Sequence, residues 1–120
     1  MASHTCQPVE ILPAPAFQRD IRGLRRDHRD VDALIVPALA EEVGPDPNAG
    51  WGIPGWGDRV RKLRVADECH NRGKSKGFRL IYDWHSETRV LWLLRLYTHA
   101  QMDDIADSEI KKVRNAVGLS

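Results

Sequence analysis

The most concentrated chemistry in this sequence is a block of positive charge between Arg59 and Arg79. The block holds eight lysine and arginine residues against Asp67 and Glu68, a net charge of +6 in a 120-residue chain whose overall charge is +1. Basic side chains gathered in one segment of a near-neutral protein indicate a face that binds a polyanion such as a nucleic acid. The alternative that the residues leave open is a solvated strand and loop with no partner.

Other kinds of site have little support in the residues. Cys69 and His70 are adjacent, but no second Cys/His pair stands at zinc spacing, so we expect no metal and no cofactor. The sequence contains neither a P-loop nor a glycine-rich dinucleotide fingerprint. Two cysteines, Cys6 and Cys69, are too few for a disulfide scaffold and predict free thiols in a reducing cytoplasm. The chain does not begin like a signal peptide and has no apolar run that could span a bilayer, so no membrane partner is expected.

The N-terminal part of the chain predicts one short strand and two helices. Val9–Leu12 is apolar and is stopped by prolines, which indicates a strand. Apolar residues then recur at helical spacing from Phe17 onward, with arginines on the other faces. A second helix is predicted over about Asp32–Val43. We expect a kink or a restart at Pro37, because proline removes a backbone donor and clashes one turn back.

Residues 45–58 are rich in glycine and proline and predict a long loop. The loop contains Trp51 and Trp56, which could stack on nucleotide bases. Tryptophans in such loops more often pack back on the domain, and packing is the favoured interpretation for both.

Three strands are predicted in the second half of the chain, at Val60–Val65, Phe78–Trp84 and Val90–Tyr97. The last two are joined by a turn at residues 86–88, and a short helix, capped by Asp107, follows over about Ser108–Val117. Because the strands are grouped apart from the helices, the fold class is α+β. We expect one domain over residues 1–120, in which the helices pack on one face of a small, mainly antiparallel sheet of about four strands.

Four segments of the chain form an ordered set of motifs. The sequence RKLRVA at Arg61–Ala66 precedes GKSKGFRLIY at Gly73–Tyr82, and WLLRLY at Trp92–Tyr97 precedes MDDI at Met102–Ile105. This set resembles the centre of the RelE-superfamily toxins, especially the HigB-like branch. The resemblance covers residues 50–112 by motif and the N-terminal third by the order of elements, and it implies a RelE-like fold.

The resemblance also implies a function. RelE-like proteins of this branch are toxins of type II toxin–antitoxin systems, endoribonucleases that cleave messenger RNA on the ribosome and inhibit translation. The reaction is attack of a 2′-hydroxyl on the adjacent phosphate, which requires proton transfer and cations that stabilise the phosphate but no metal. The implied partners are a cognate antitoxin of the helix-turn-helix type, messenger RNA and the ribosome.

By this resemblance, five residues are candidates for catalysis. Arg79 lies on a predicted strand, and its guanidinium could bind two phosphate oxygens at once. Lys74 and Lys76 could hold the RNA backbone, or one of them could act as a base where like charges lower its pKa. Tyr97 could orient or stack on a base, and His99, where relatives commonly have lysine, could transfer a proton. The expected RNA-binding residues are Lys62, Arg64, Arg72, Lys74 and Lys76.

Two other functions fit the same fold. A ParE-like toxin poisons DNA gyrase and does not cut RNA, and it has no need of a basic loop together with Arg79, Tyr97 and His99. Those residues therefore favour the ribonuclease. A degenerate member that binds its antitoxin without catalysis also stays open, because His99 replaces the usual lysine and the overall charge is low.

Overall fold

A computed structural model describes residues 8–66, 77–99, 101 and 104–119 and has the α+β architecture that the sequence predicts. The strands are β1 (Glu10–Pro13), β2 (Trp51–Gly52), β3 (Val60–Val65), β4 (Phe78–His85) and β5 (Val90–Thr98). The helices are α1 (Pro15–Asp27), α2 (Val31–Ala38), continued by a π-helical turn (Leu39–Val43), and α3 (Asp107–Ala116). The strands form one sheet in the order β1-β5-β4-β3-β2, in which β1 runs parallel to β5 and the other neighbours are antiparallel.

β2 is a strand that the sequence analysis did not predict. It lies within residues 45–58, where we expected only a loop, and it pairs Trp51 with Lys62 and Gly52 with Arg61 of β3. Two residues are too few to show the alternation by which strands are recognised in a sequence. The described sheet therefore has five strands rather than about four.

The second helix continues through Pro37, where a kink or a restart was expected, and changes to π-helical bonding after Ala38. The α-helix ends at Ala38, and the following turn is π-helical, with the Gly44 amide bonded to the Leu39 carbonyl at 2.8 Å. Proline has no amide hydrogen to bond the carbonyl one turn back, so regular α-helical bonding is interrupted there.

Hydrophobic clusters cover both faces of the sheet. α1 and α2 pack on the face that carries Leu63 and Leu80, and α3 packs on the opposite face, against Val60 and Ile81. The expectation that the helices share one face is therefore wrong for α3. Its buried residues are Ile110, Val113 and Arg114. Because both faces are covered, β4 is buried along almost its whole length.

A bulge in β5 decides which of its side chains face α3. Consecutive residues of β4 pair with Arg95 and Leu93, so Leu94 between them is an extra residue. The extra residue reverses the alternation of the strand, so that Tyr97 lies on the face opposite Leu93 rather than on the same face. Asp20 of α1 stabilises this region, since its carboxylate accepts a hydrogen bond from the Arg95 guanidinium at 2.6 Å.

The start of α3 differs from the prediction. Asp107 is its first residue, and the capping position is Ala106, which has no side-chain cap. The Asp107 carboxylate instead accepts a hydrogen bond from the Trp56 indole nitrogen at 3.2 Å. Gly118 follows the end of the helix with a φ of +82°, a conformation that a residue without Cβ adopts readily.

A buried polar network attaches α3 to the sheet. The Asp83 side chain of β4 is fully buried and forms an ion pair with Arg114 of α3. The Nε2 atom of His85 lies 2.8 Å from the second carboxylate oxygen of Asp83. Arg59 donates a hydrogen bond to the Nδ1 atom of His85 at 2.8 Å. These contacts connect β4, α3 and Arg59, the residue before β3, at the end of β4 away from Arg79.

The segment that leads into β3 is held against the sheet at Gly50. The Arg61 guanidinium donates a hydrogen bond to the Gly50 carbonyl at 2.6 Å. The Tyr82 hydroxyl accepts a hydrogen bond from the Gly50 amide at 3.0 Å and donates one to the Pro47 carbonyl at 2.7 Å. Burial raises the pKa of Tyr82, so the hydroxyl keeps the proton that it donates. These bonds fix the position of Trp51, the next residue.

We expect Gly50→Ala to lower the free energy of unfolding by about 1–3 kcal/mol, as overpacked sites do. A Cβ at Gly50 would lie 2.7 Å from the Lys62 carbonyl oxygen and 3.0 Å from the Tyr82 hydroxyl, both of which are held in place. Urea denaturation measures the change. Gly23→Ala on α1 is the control, because a Cβ there meets no atom within 4 Å and alanine favours helix. Equal stability of the two variants would contradict the close approach at Gly50.

Candidate nucleic-acid interface

A row of three polar side chains crosses the sheet on the face away from α1 and α2. Arg64 of β3 pairs with Arg79 of β4, and Arg79 pairs in turn with Tyr97 of β5. Directly opposed residues on neighbouring strands have Cβ atoms about 4.5–5.5 Å apart on one face. Lys62 lies on the same face of β3, two residues before Arg64. The structure thus brings together four of the residues proposed from the sequence, and we call Lys62, Arg64, Arg79 and Tyr97 the cationic row.

Arg79 is buried at the centre of the cationic row, with 4% of its surface exposed. Burial lowers the pKa of Arg79 and the charge of Arg64 adds to this effect, whereas Tyr97 and Asp104 raise it. A guanidinium nevertheless stays protonated in proteins. Two like charges are therefore held side by side, which is unfavourable for folding and favourable for binding an anion between them.

Tyr97 places its ring in the core and its hydroxyl in the cationic row. The side chain is 1% exposed, and its ring belongs to the cluster beneath α3. Within the described part of the chain the hydroxyl has no hydrogen-bond partner. The Ile105 amide approaches it and slightly opposes the shift of its pKa, but without the geometry of a hydrogen bond. Burial, and next the charge of Asp104, raise the pKa of Tyr97, so this hydroxyl is protonated and can donate a hydrogen bond.

Asp104 is a residue of this site that the sequence analysis did not single out. Its Oδ1 atom lies 2.8 Å from the Lys62 Nζ atom, and its side chain is 79% exposed. Lys62 holds the pKa of Asp104 below its usual value, and Arg64 and Arg79 act in the same direction. The ionised carboxylate is therefore attracted by three cations, and an entering phosphate would compete with it. Its position in the MDDI motif was the signal that could have found it.

The two loop tryptophans have different environments. Trp56 is half-buried, its indole bonds to Asp107, and the Arg114 guanidinium lies 5.1 Å from its ring centroid. Trp51 is 59% exposed, and the Arg64 guanidinium lies 4.6 Å from its ring centroid, a cation–π contact. The preference for packing is therefore confirmed for Trp56 and is wrong for Trp51.

The remaining candidates lie at the end of the cationic row or beyond the described residues. His99 is the first residue after β5, is exposed, and its amide bonds to the Gly77 carbonyl at 3.4 Å. Since β5 ends at Thr98, His99 is not part of the strand that carries Tyr97. Three basic candidates lie outside the described residues, namely Arg72, Lys74 and Lys76. Both cysteines and His70 lie outside them as well.

The described residues contain neither a metal-binding cluster nor a membrane-spanning helix. In residues 8–66, 77–99, 101 and 104–119, no group of three or more His, Cys, Asp or Glu side chains is arranged to hold a metal ion. No helix in that part of the chain has the length and apolar character needed to cross a bilayer.

Comparison with solved structures shows that the fold is RelE-like. The structure of a mutant of the E. coli toxin RelE in its free state matches with a TM-score of 0.58 and 14% identity, over 92% of this chain and 99% of that chain. The solution structure of the conserved hypothetical protein HP0892 from Helicobacter pylori matches with a TM-score of 0.49 and 14% identity, over 78% of this chain and 97% of that chain. No protein-family profile and no curated protein sequence matches. The likeness to RelE confirms the fold that the sequence motifs implied and, at this identity, concerns the fold alone.

Proposed function

We propose that this chain is a toxin of a type II toxin–antitoxin system, of the HigB-like branch, and a metal-independent endoribonuclease that cleaves messenger RNA. The observation that carries the proposal is the cationic row, in which Arg64, Arg79 and the Tyr97 hydroxyl lie side by side on one sheet face. A buried hydroxyl that has no hydrogen-bond partner among the described residues, beside paired arginines, suits an anionic ligand better than it suits a folded core. The RelE-like fold supports the same function.

In the proposed reaction the 2′-oxygen forms a bond to the adjacent phosphorus, and the bond to the 5′-oxygen breaks. Arg79 and Arg64 stabilise the charge that builds on the phosphate oxygens, and Tyr97 donates a hydrogen bond to one of them. A base takes the 2′ proton and an acid protonates the leaving 5′-oxygen. His99, Lys74 and Lys76 are the candidates for these two roles, since arginine does not release its proton.

The wider setting is part of the same proposal. The chain is a single domain over residues 1–120 and acts in the cytoplasm on messenger RNA bound to the ribosome. Lys62, with the basic residues of the segment that contains Arg72, Lys74 and Lys76, extends the surface for the RNA backbone. A cognate antitoxin, of the helix-turn-helix type, inhibits the toxin when both are present.

We expect that production of this protein without its partner stops growth and leaves discrete new 5′ ends in translated messenger RNA. Primer extension on several transcripts, before and after induction, measures the cuts. A gyrase supercoiling assay on the same cells separates the alternatives, because a ParE-like poison would inhibit gyrase and leave messenger RNA intact. Growth without either effect would favour a member that only binds its antitoxin.

A further inference from the structure

We infer that Trp51 is the stacking platform of a nucleobase-binding subsite, which takes an unpaired base of single-stranded RNA beside the phosphate held by the cationic row. This inference rests on the proposed function and adds to it a site for the base. The cationic row by itself binds phosphate, which carries no information about the base.

Trp51 is exposed on a rigid support. Among the described residues, it and Val36 are the large hydrophobic side chains that are mainly exposed. Its backbone is paired with Lys62 of β3, and the preceding residue, Gly50, is held by Arg61 and Tyr82. The ring is therefore exposed to solvent on a backbone that is already fixed. Binding of a ligand that stacks on it costs little conformational entropy of the protein.

Arg64 connects the tryptophan to the cationic row. Its guanidinium lies against the Trp51 ring, and in the sheet Arg64 is directly opposite Arg79. Lys62, the strand partner of Trp51, stands on the same face as Arg64 at a separation of two residues, roughly 6–7 Å along the strand. A phosphate bound at the cationic row and a base stacked on Trp51 thus fall within the reach of one nucleotide.

A cleft of suitable size opens beside the ring. It has a volume of about 440 Å³, within the range of roughly 300–1,000 Å³ typical of small-ligand sites. Its walls include the apolar Ile53 and Ile105, and Lys62 and Asp104 stand at its polar edge. Trp51 also borders a second cleft, of about 250 Å³, and Arg64 lines that cleft. Arg64 is not among the residues that line the larger cleft. The larger cleft therefore leaves room for a flat ligand with an apolar face and polar edges.

The charge of the surroundings favours a nucleic-acid base over an aromatic side chain of a protein. The charges of Lys62, Arg64 and Arg79 all act on the Asp104 carboxylate. Asp107 also lines the larger cleft, and Glu42 lines the smaller one. A polyanion supplies a phosphate for the cationic row beside each base, which an aromatic side chain of a protein does not. Stacking tolerates any base because every base has a π-face, and it strengthens with the area of that face. We therefore expect all four bases to bind, with purines tighter than pyrimidines.

The test uses a short single-stranded RNA in which every ribose is 2′-O-methylated, so that no 2′-hydroxyl attack occurs. Fluorescence anisotropy of the labelled RNA should give a dissociation constant about five- to a hundredfold higher for Trp51→Ala than for wild type. Trp51→Phe should retain most of the affinity, and Trp51→Leu, which keeps apolar bulk without a π-face, should not. Val36→Ala, an exposed apolar change on α2, is the matched control and should bind as wild type does.

Two further measurements assign the effect to a base. A series of RNAs, each with one abasic position, locates the base. Wild type and Trp51→Ala should have equal affinity for only one RNA of the series, the one that lacks the base that stacks on Trp51. The slope of log affinity against log salt should be the same for Trp51→Ala and wild type. Lys62→Ala should lower that slope by about 0.7, the value for one phosphate contact on a single strand.

The outcomes separate this inference from the proposed function. Salt-dependent binding that is equal in wild type and Trp51→Ala would overturn the base subsite and leave the ribonuclease standing. Trp51→Ala that keeps its RNA affinity but no longer binds the antitoxin would assign the ring to the protein partner and also overturn the subsite. Failure of wild type to bind the RNA at low salt would also overturn the subsite, and primer extension on translated messenger RNA tests the proposed function independently.

Discussion

Arg79→Gln is expected to slow single-turnover cleavage of RNA by about a hundred- to a thousandfold, the usual effect of removing one group that stabilises charge in the transition state. Arg79 is buried at the centre of the cationic row, where low solvent exposure strengthens its effect on a phosphate. The change removes the repulsion between Arg79 and Arg64, so the fold should remain. Cleavage of a labelled messenger RNA bound to ribosomes, with enzyme in excess, measures the rate, and circular dichroism verifies the fold.

Two variants test whether the effect belongs to this position. Arg22→Gln changes an exposed arginine of α1, on the other face of the sheet, and should leave the rate unchanged. Arg79→Lys keeps the charge but loses the two parallel hydrogen bonds that guanidinium offers, so it should give an intermediate rate. Wild-type cleavage by Arg79→Gln would remove Arg79 from the proposed site.

The largest loss of stability is expected for Asp83→Ala, at about 3–5 kcal/mol in the free energy of unfolding. The substitution leaves Arg114 of α3 buried without the carboxylate that it binds, and it also removes the contact of His85 with Asp83. Because the Tyr97 ring packs in the cluster beneath α3, displacement of this helix should also disturb Tyr97 and reduce RNA binding. Thermal denaturation should show a Tm lower by roughly 10–20 °C.

An exposed ion pair gives the matched control for Asp83. Asp32 pairs with Arg25 on the helical side of the molecule, with both side chains about half exposed. Asp32→Ala should therefore change the free energy of unfolding by less than about 1 kcal/mol. The double variant Asp83→Leu with Arg114→Met should recover much of the loss, since it leaves no buried charge. Similar losses for Asp83→Ala and Asp32→Ala would contradict the role given to the buried pair.

The central strands could be predicted because apolar residues recur at every second position along them. Phe78–Trp84 alternates apolar and polar side chains, and the observed β4 extends that range by one residue. β2 could not be predicted, since two residues carry no period and their pairing depends on the bonds to Gly50 from elsewhere in the fold. The side of the sheet that α3 covers is likewise a tertiary choice, which its own amphipathic pattern does not specify.

The candidate site was predicted in part for the same reason. Arg64 and Arg79 follow from their positions on alternating strands. Tyr97 reaches the cationic row only because the extra residue Leu94 reverses the face of β5, and a bulge leaves no periodic signal. The environment of Trp51 could not be predicted, because it depends on the position of the Arg64 guanidinium and on the cleft beside the ring, neither of which is local to the loop.

The pairing of β1 with β5 has a consequence for the order of folding. Glu10 lies beside Val90, so the first strand of the sheet finds its partner in the last one to be synthesised. The contacts among β3, β4 and β5 join segments close in sequence and can form earlier, whereas closing so long a loop is entropically slow. Tyr97 belongs to that last strand as well. A growing polypeptide therefore has no complete cationic row until β5 has been translated.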